Sequence, residues 1–167
     1  MHSGLTVKWN AAQSLGQADS VEPRASQLFE HALRAANPTG IKRLFSQAAT
    51  PLRSLMAAVE GVCVTHRYEL GTRTVSLEKI TGSLNKAADF DVDFRPLQRH
   101  SEYRWVKVAT AMLRGIHLPP IELIQVGDTY YVKDGHHRIS VARALSHMYL
   151  DAVVTVWAVE AGGADAA

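Results

Sequence analysis

The residue types best suited to chemistry lie in one run, Lys133-Asp134-Gly135-His136-His137-Arg138. Strand-like residues precede the run and a helical pattern follows it, so the run is a tight strand-to-helix junction. A helix N-terminus presents unpaired backbone N–H groups and partial positive charge. Gly135 has no Cβ, which lets the chain turn sharply and expose those amides. Arg138 carries a planar fork of donors matched to phosphate oxygens. Gly135, His136, His137 and Arg138 are therefore a candidate phosphate cradle that needs no Walker motif. Asp134, at the strand end, is placed to hold a histidine tautomer, orient a hydroxyl or bind a divalent ion. In a phosphoryl-transfer reading, Asp134 and His137 are the candidate catalytic groups. Asp134 would orient an acceptor hydroxyl or a metal-bound water, and His137 would contact a transferring or bridging oxygen. The competing reading makes Asp134-Gly135 a turn and helix cap with no ligand.

A resident metal is not expected. Adjacent histidines on a helix diverge by about 100° around its axis, whereas chelating pairs favour i, i+4 spacing. The i+4 partners here are Ser140 and Val141. The single cysteine, Cys63, excludes an intramolecular disulfide framework and a Cys-cluster zinc site, and between two valines it reads as a buried structural thiol. Asp91 and Asp93 alternate in Asp89-Phe-Asp-Val-Asp-Phe94. That pattern reads as an extended segment with carboxylates on one side, either a solvated edge or a place for Mg²⁺ carried by a triphosphate.

The elements that must position these residues fall into two regions. Residues 1–19 read as a flexible leader and 161–167 as a flexible tail. Residues 20–61 form a helical extension. Ser20 caps a helix with Pro23 in its first turn and an apolar stripe of Leu28, Phe29, Ala32 and Leu33, stopped at Asn37-Pro38. Thr39 opens a second helix with Ile41, Leu44 and Phe45. Thr50-Pro51 opens a third, ended by Gly61. Residues 62–160 form the second region. Val62–Val64 and Arg73–Leu77 are strand-like, and Leu77–Ile80 makes a short turn ended by Thr81–Ser83. Ser101 caps a helix with Trp105, Val108, Ala109 and Met112 on one face, ended at Gly115. Ile121–Val126 and Thr129–Lys133 flank Gly127-Asp128 as a hairpin. A helix from about His137 to His147 and a strand from about Ala152 to Val159 follow.

Composition narrows the function classes. The chain has 167 residues, 47% hydrophobic, which supports a core. Net charge is +2, with nine basic and six acidic residues in 1–84 and nine against ten in 85–167. That asymmetry is too small to mark a polycationic nucleic-acid coat. No run approaches ~20 consecutive apolar residues, and the leader lacks an apolar signal core, so cytoplasm is the expected compartment.

From about Thr74 to Trp157 the sequence resembles the ParB/sulfiredoxin-like superfamily. The resemblance rests on Val75-Ser-Leu-Glu-Lys-Ile80, Phe94-Arg95-Pro96, the helix before Gly115 and Leu118-Pro-Pro-Ile-Glu-Leu123. It continues through the hairpin, Tyr131-Val-Lys-Asp-Gly-His-His-Arg138, Val141-Ala-Arg-Ala-Leu145 and the closing strand. The implied fold is α+β, with a small mixed sheet and packed helices, preceded by the helical extension. Sulfiredoxin-like enzymes place a catalytic cysteine in Gly-Cys-His-Arg. His136 stands in the cysteine's place here, so that chemistry is not implied. Chromosome-partitioning ParB proteins bind CTP through Gly-Glu-Arg-Arg, of which Gly135 and Arg138 remain. Free-serine kinases are similar in style of box and use a glutamate near the start of the domain, for which Glu78 is the nearest candidate. By the same resemblance Arg95 lies where an arginine approaches nucleotide phosphates.

The resulting expectation is a nucleotide-binding protein using ATP or CTP with Mg²⁺, an NTP-dependent phosphotransferase acting on a small hydroxyl-bearing substrate or an NTP hydrolase. Two alternatives stand beside it: a DNA-associated regulator or nuclease-like protein, and a non-catalytic interaction module. The N-terminal helices are the expected route to any oligomer.

Overall fold

The structure, a computed structural model, describes residues 11–38, 50, 52–86 and 88–161. The chain runs α1 (Ala11–Ala36), β1 (Arg53–Ser54), α2 (Leu55–Ala58), β2 (Val62–Ser76), a 3₁₀ turn (Leu77–Lys79) and β3 (Ile80–Ser83). A second 3₁₀ turn (Arg99–Ser101) leads into α3 (Glu102–Leu113). Then come β4 (Ile121–Val126), β5 (Thr129–Asp134), α4 (His136–Ala144) and β6 (Tyr149–Ala161). The six strands form one mixed sheet in the order β1-β3-β5-β4-β6-β2. Strands β1/β3, β3/β5 and β4/β6 are parallel, and β4/β5 and β2/β6 antiparallel. This is the α+β architecture expected from the sequence.

Strand alternation sets the two faces of the sheet. On β4 and β5, Leu123 and Val132 point to one side, with Val75, Ile80, Ile139, Ala142 and Val154. Their neighbours Ile124 and Tyr131 pack on the other side with Leu55 of α2. Helix α4 covers the first face, and α1 and α3 pack outside it. Phe29, Ala32 and Leu33 of α1 meet Trp105 and Ala109 of α3 and Val141 of α4. Phe29 and Trp105 touch edge to face at 5.6 Å. The indole N–H of Trp105 donates to Ser140 Oγ at 2.8 Å, so the buried ring keeps its hydrogen bond. The apolar stripe of α1 is thus covered by the chain's own helices.

Several elements differ from the sequence expectation. Helix α1 begins at Ala11, so Ser20 lies inside it rather than capping it, and Pro23 is an interior residue. Tertiary cover of the stripe outweighs the missing proline N–H. At its end Asn37 behaves as expected, bonding Leu33 O through both its backbone N–H and its side-chain amide, each at 3.1 Å. The helix expected from Thr39 lies outside the described residues. In place of a third helix from Thr50, the chain makes the short strand β1 and one helical turn. The two strand-like pieces 62–64 and 73–77 are one continuous strand, because β6 pairs along the whole length of β2 through two register shifts. Cys63 is exposed on β2, the edge strand, not buried. Thr81–Ser83 belongs to a strand that pairs with β5.

The segment Asp89–Phe94 is also not extended. Phe90 and Phe94 both enter the core, which forces a tight turn with φ 59° at Phe94. Buried Asp91 closes the turn: its Oδ1 accepts the backbone N–H of Asp93 at 3.0 Å and of Arg95 at 2.7 Å. Asp93 points outward and pairs with Arg95 at 3.0 Å. The two carboxylates therefore do not share a solvent face. Among the described residues no helix is long and apolar enough to cross a membrane.

Candidate functional site

The strand-to-helix junction forms where expected. Gly135 caps α4 in the left-handed region at φ 101°, and a Cβ there would sit 2.5 Å from Ile121 Cγ2. Both conformation and space therefore demand glycine. The three residues that follow point three ways, because consecutive helical positions diverge by about 100°.

His136 points into the core. It stacks on Phe90 with ring centroids 6.0 Å apart, and its Nε2 lies 2.8 Å from the buried Ser83 Oγ. Burial, then the charges of Lys86 and His137, lower its pKa to about 4. His137 sits edge-on to the same phenyl ring at 5.5 Å. Its Nε2 is buried and has no hydrogen-bond partner in the structure. Burial, then Lys86 and Arg104, lower its pKa to about 4 as well.

Arg138 faces elsewhere. Its Nη1 donates to the Pro119 carbonyl and, at 2.8 Å, to the Pro120 carbonyl, while Nη2 donates to Asp134 Oδ2 at 2.8 Å. The guanidinium fork expected to grip phosphate thus clamps the Pro119-Pro120 segment to the junction. Asp134, the expected hydroxyl-orienting group, is its ion-pair partner.

His137 instead lines a cavity of about 270 Å³ with Lys86, Asp89, His100, Ser101, Tyr103 and Arg104. Four chain segments meet there: the turn after β3, the approach to Phe90, the start of α3 and the start of α4. Among the described residues neither Lys86 nor Arg104 has a carboxylate partner in salt-bridge range. Among the described residues Asp89 is the one carboxylate in the lining. Gly135, Arg138 and Arg95 are not in it. Arg95 lines a cavity of about 390 Å³ against α1, with His31 and Arg143. Glu78 lines a third, of about 450 Å³, with Arg143 and His147. Arg143 donates to the carbonyls of Leu77, Ile80 and Val92 and stacks over Phe94, a tie between α4 and two loops.

Of the sequence candidates, His137 alone reaches this cavity. Lys86, Asp89, His100 and Arg104 carry no motif. For His100 and Arg104 a signal exists, the basic cluster Arg99-His100 and Arg104 at the N-terminus of a second helix; Lys86 and Asp89 have none. Among the described residues no group of three His, Cys, Asp or Glu is placed to hold a metal ion. Mg²⁺ commonly binds through one or two carboxylates plus substrate phosphates, and Asp89 fits that mode.

No family model matches the chain, and no curated protein matches it. Solved structures do. One is the crystal structure of sulfiredoxin from Arabidopsis thaliana, with 20% identity, covering 52% of this chain and 86% of that one at a TM-score of 0.40. Another is a conserved hypothetical protein from Pyrococcus furiosus, with 20% identity, covering 52% of this chain and 33% of that one at a TM-score of 0.36. This chain thus spans about a third of the length of the Pyrococcus protein.

Proposed function

We propose that this protein binds the phosphates of a nucleotide, ATP or CTP with Mg²⁺, in the cavity between the starts of α3 and α4. The observation that carries the reading is the buried, unpartnered His137 Nε2 in a cavity also lined by Lys86 and Arg104. A phosphate oxygen or the proton of a phosphate would complete that nitrogen's bonding, and the two cations would neutralise its charge. The backbone amides of the two helix starts add to the same field. Asp89 would hold Mg²⁺ carried by the phosphates or take the proton of an attacking hydroxyl or water. In such a transfer, a new P–O bond to that oxygen forms as the bridging P–O bond breaks. Asp134 and Arg138, paired to each other, would support the junction from outside the cavity.

Calorimetric titration with ATP, ADP and CTP, with and without Mg²⁺, tests the reading. Binding of at least one, weakened about tenfold by Arg104→Ala, is the expected result; tenfold corresponds to about 1.4 kcal/mol. A folded protein that binds none of them refutes it.

A nucleic-acid partner is the second reading, and one feature favours it. The outer face of α3 carries exposed Tyr103, Arg104 and Lys107, with exposed Arg114 at its C-cap and Lys107 5.1 Å over the Tyr103 ring. Aromatic and basic residues interleaved on one face suit a phosphodiester strand. Salt-dependent retention on single-stranded and duplex DNA decides it, and no retention at low salt removes it.

A further inference from the structure

Building on the phosphate-binding reading above, we infer that His136 is a positioning residue for Lys86: through Ser83 it holds the turn that carries the lysine to the cavity. The chain of contacts is short and buried. Ser83 ends β3, and its Oγ receives the backbone N–H of Lys86 at 2.9 Å and of Asn85 at 3.3 Å. A hydroxyl has two acceptor sites and one proton. With the acceptor sites taken by the two amides, the proton goes to His136 Nε2, 2.8 Å away. Nε2 is then the acceptor, and the ring carries its own proton on Nδ1. Only a neutral imidazole of that tautomer completes the set, and His136, 4% exposed, sits where burial keeps it neutral.

The far end of the turn is functional in placement. Lys86 lines the cavity, and its charge acts on both imidazoles of the junction. The first residue of α4 thus sets a cation that meets the second, His137, across the cavity. The blander alternative is that Ser83 and His136 are a self-satisfied buried pair, which affects folding alone. The two accounts differ in what happens to ligand affinity when the fold survives.

The test compares wild type, Lys86→Ala, His136→Leu, His136→Gln and the double variant Lys86→Ala with His136→Leu. ATP with Mg²⁺ is the titrant, and thermal unfolding confirms that each protein is folded. Lys86→Ala is expected to weaken binding about tenfold. His136→Leu should weaken it several-fold, and the double variant should be no weaker than Lys86→Ala. His136→Gln, whose amide oxygen can receive the Ser83 proton near the Nε2 position, should recover most of the affinity. Should His136→Leu fail to fold, Ser83→Ala takes its place with the same expected loss. Full affinity in a folded His136→Leu or Ser83→Ala, or losses that multiply in the double variant, overturns the inference while leaving the phosphate site standing. A Lys86→Ala protein that binds as wild type fails the site reading itself, and the inference falls with it.

Discussion

Acidification from pH 7 to pH 5 should destabilise the domain through His136. Its ring is buried against Phe90 and Ser83, and burial lowers its pKa from 6.5 to about 4. Lys86 and His137, which face it, push in the same direction, and Asp134 and Asp89 oppose them. The folded pKa lies below the unfolded one, so between the two values the unfolded chain binds more protons. The contribution is therefore fully present above pH 6.5 and is lost as pH falls towards 4. A shift of this size is worth about 3 kcal/mol in all, of which about 2 kcal/mol is gone by pH 5. His137 acts in the same direction with a smaller share, because it is less buried and better screened. Protonation at Nε2 also turns an acceptor into a donor facing the Ser83 hydroxyl, so the turn at Lys86 loses its anchor. Urea denaturation at pH 7, 6 and 5 measures the slope, above the range where most carboxylates protonate. Wild type should lose about 2 kcal/mol or more across that span, and His136→Gln correspondingly less. Equal slopes in the two proteins would refute the reasoning.

Other outcomes follow from single contacts. Gly135→Ala places a Cβ 2.5 Å from Ile121 Cγ2 in a left-handed backbone, and should cost about 2 kcal/mol or more in a denaturant titration; a neutral result would mean that the junction relaxes freely. Arg138→Ala removes donors from two proline carbonyls and Asp134, and should lower stability by about 1–3 kcal/mol with nucleotide affinity unchanged. If affinity drops and stability does not, Arg138 belongs to the ligand site after all. At Asp91, burial is the main cause of a raised carboxyl pKa, while Oδ1 receives two backbone N–H groups. Asp91→Asn, which keeps the acceptor and sheds the charge, should therefore be tolerated, whereas Asp91→Ala should cost about 1–3 kcal/mol. Equal costs in chemical denaturation would show that the two bonds are not what hold the turn.

Features that depend on neighbours along the chain are legible in the amino-acid sequence. Gly115 ends α3 as expected, at φ 68°, whereas Ser101 stands at the helix start without a side-chain capping bond and donates to the Gln98 carbonyl instead. Gly127-Asp128 turns the β4–β5 hairpin, and Gly135 makes the sharp entry to α4. Asn37 ends α1 for a local reason too. Capping, turn chemistry and glycine's freedom act over a few residues, so a single chain displays them.

Tertiary structure alone decided which way the junction's side chains point and what meets them. The box Gly135–Arg138 reads as one cradle in sequence, but the 100° step of the helix sends His136 to the core, His137 to the cavity and Arg138 to the proline carbonyls. The alternation of Asp89–Phe94 reads as a strand, but two phenylalanines with places in one core fold it into a turn around Asp91. Lys86, Asp89, His100 and Arg104 come from segments with no shared pattern. They converge on His137 because β3 pairs with β5, whose end starts α4, while α3 packs on α4 through Trp105 and Val141. Sheet order and helix packing are properties of distant residues burying apolar area together, and that physics leaves no periodic trace in the stretch of chain where the site is built.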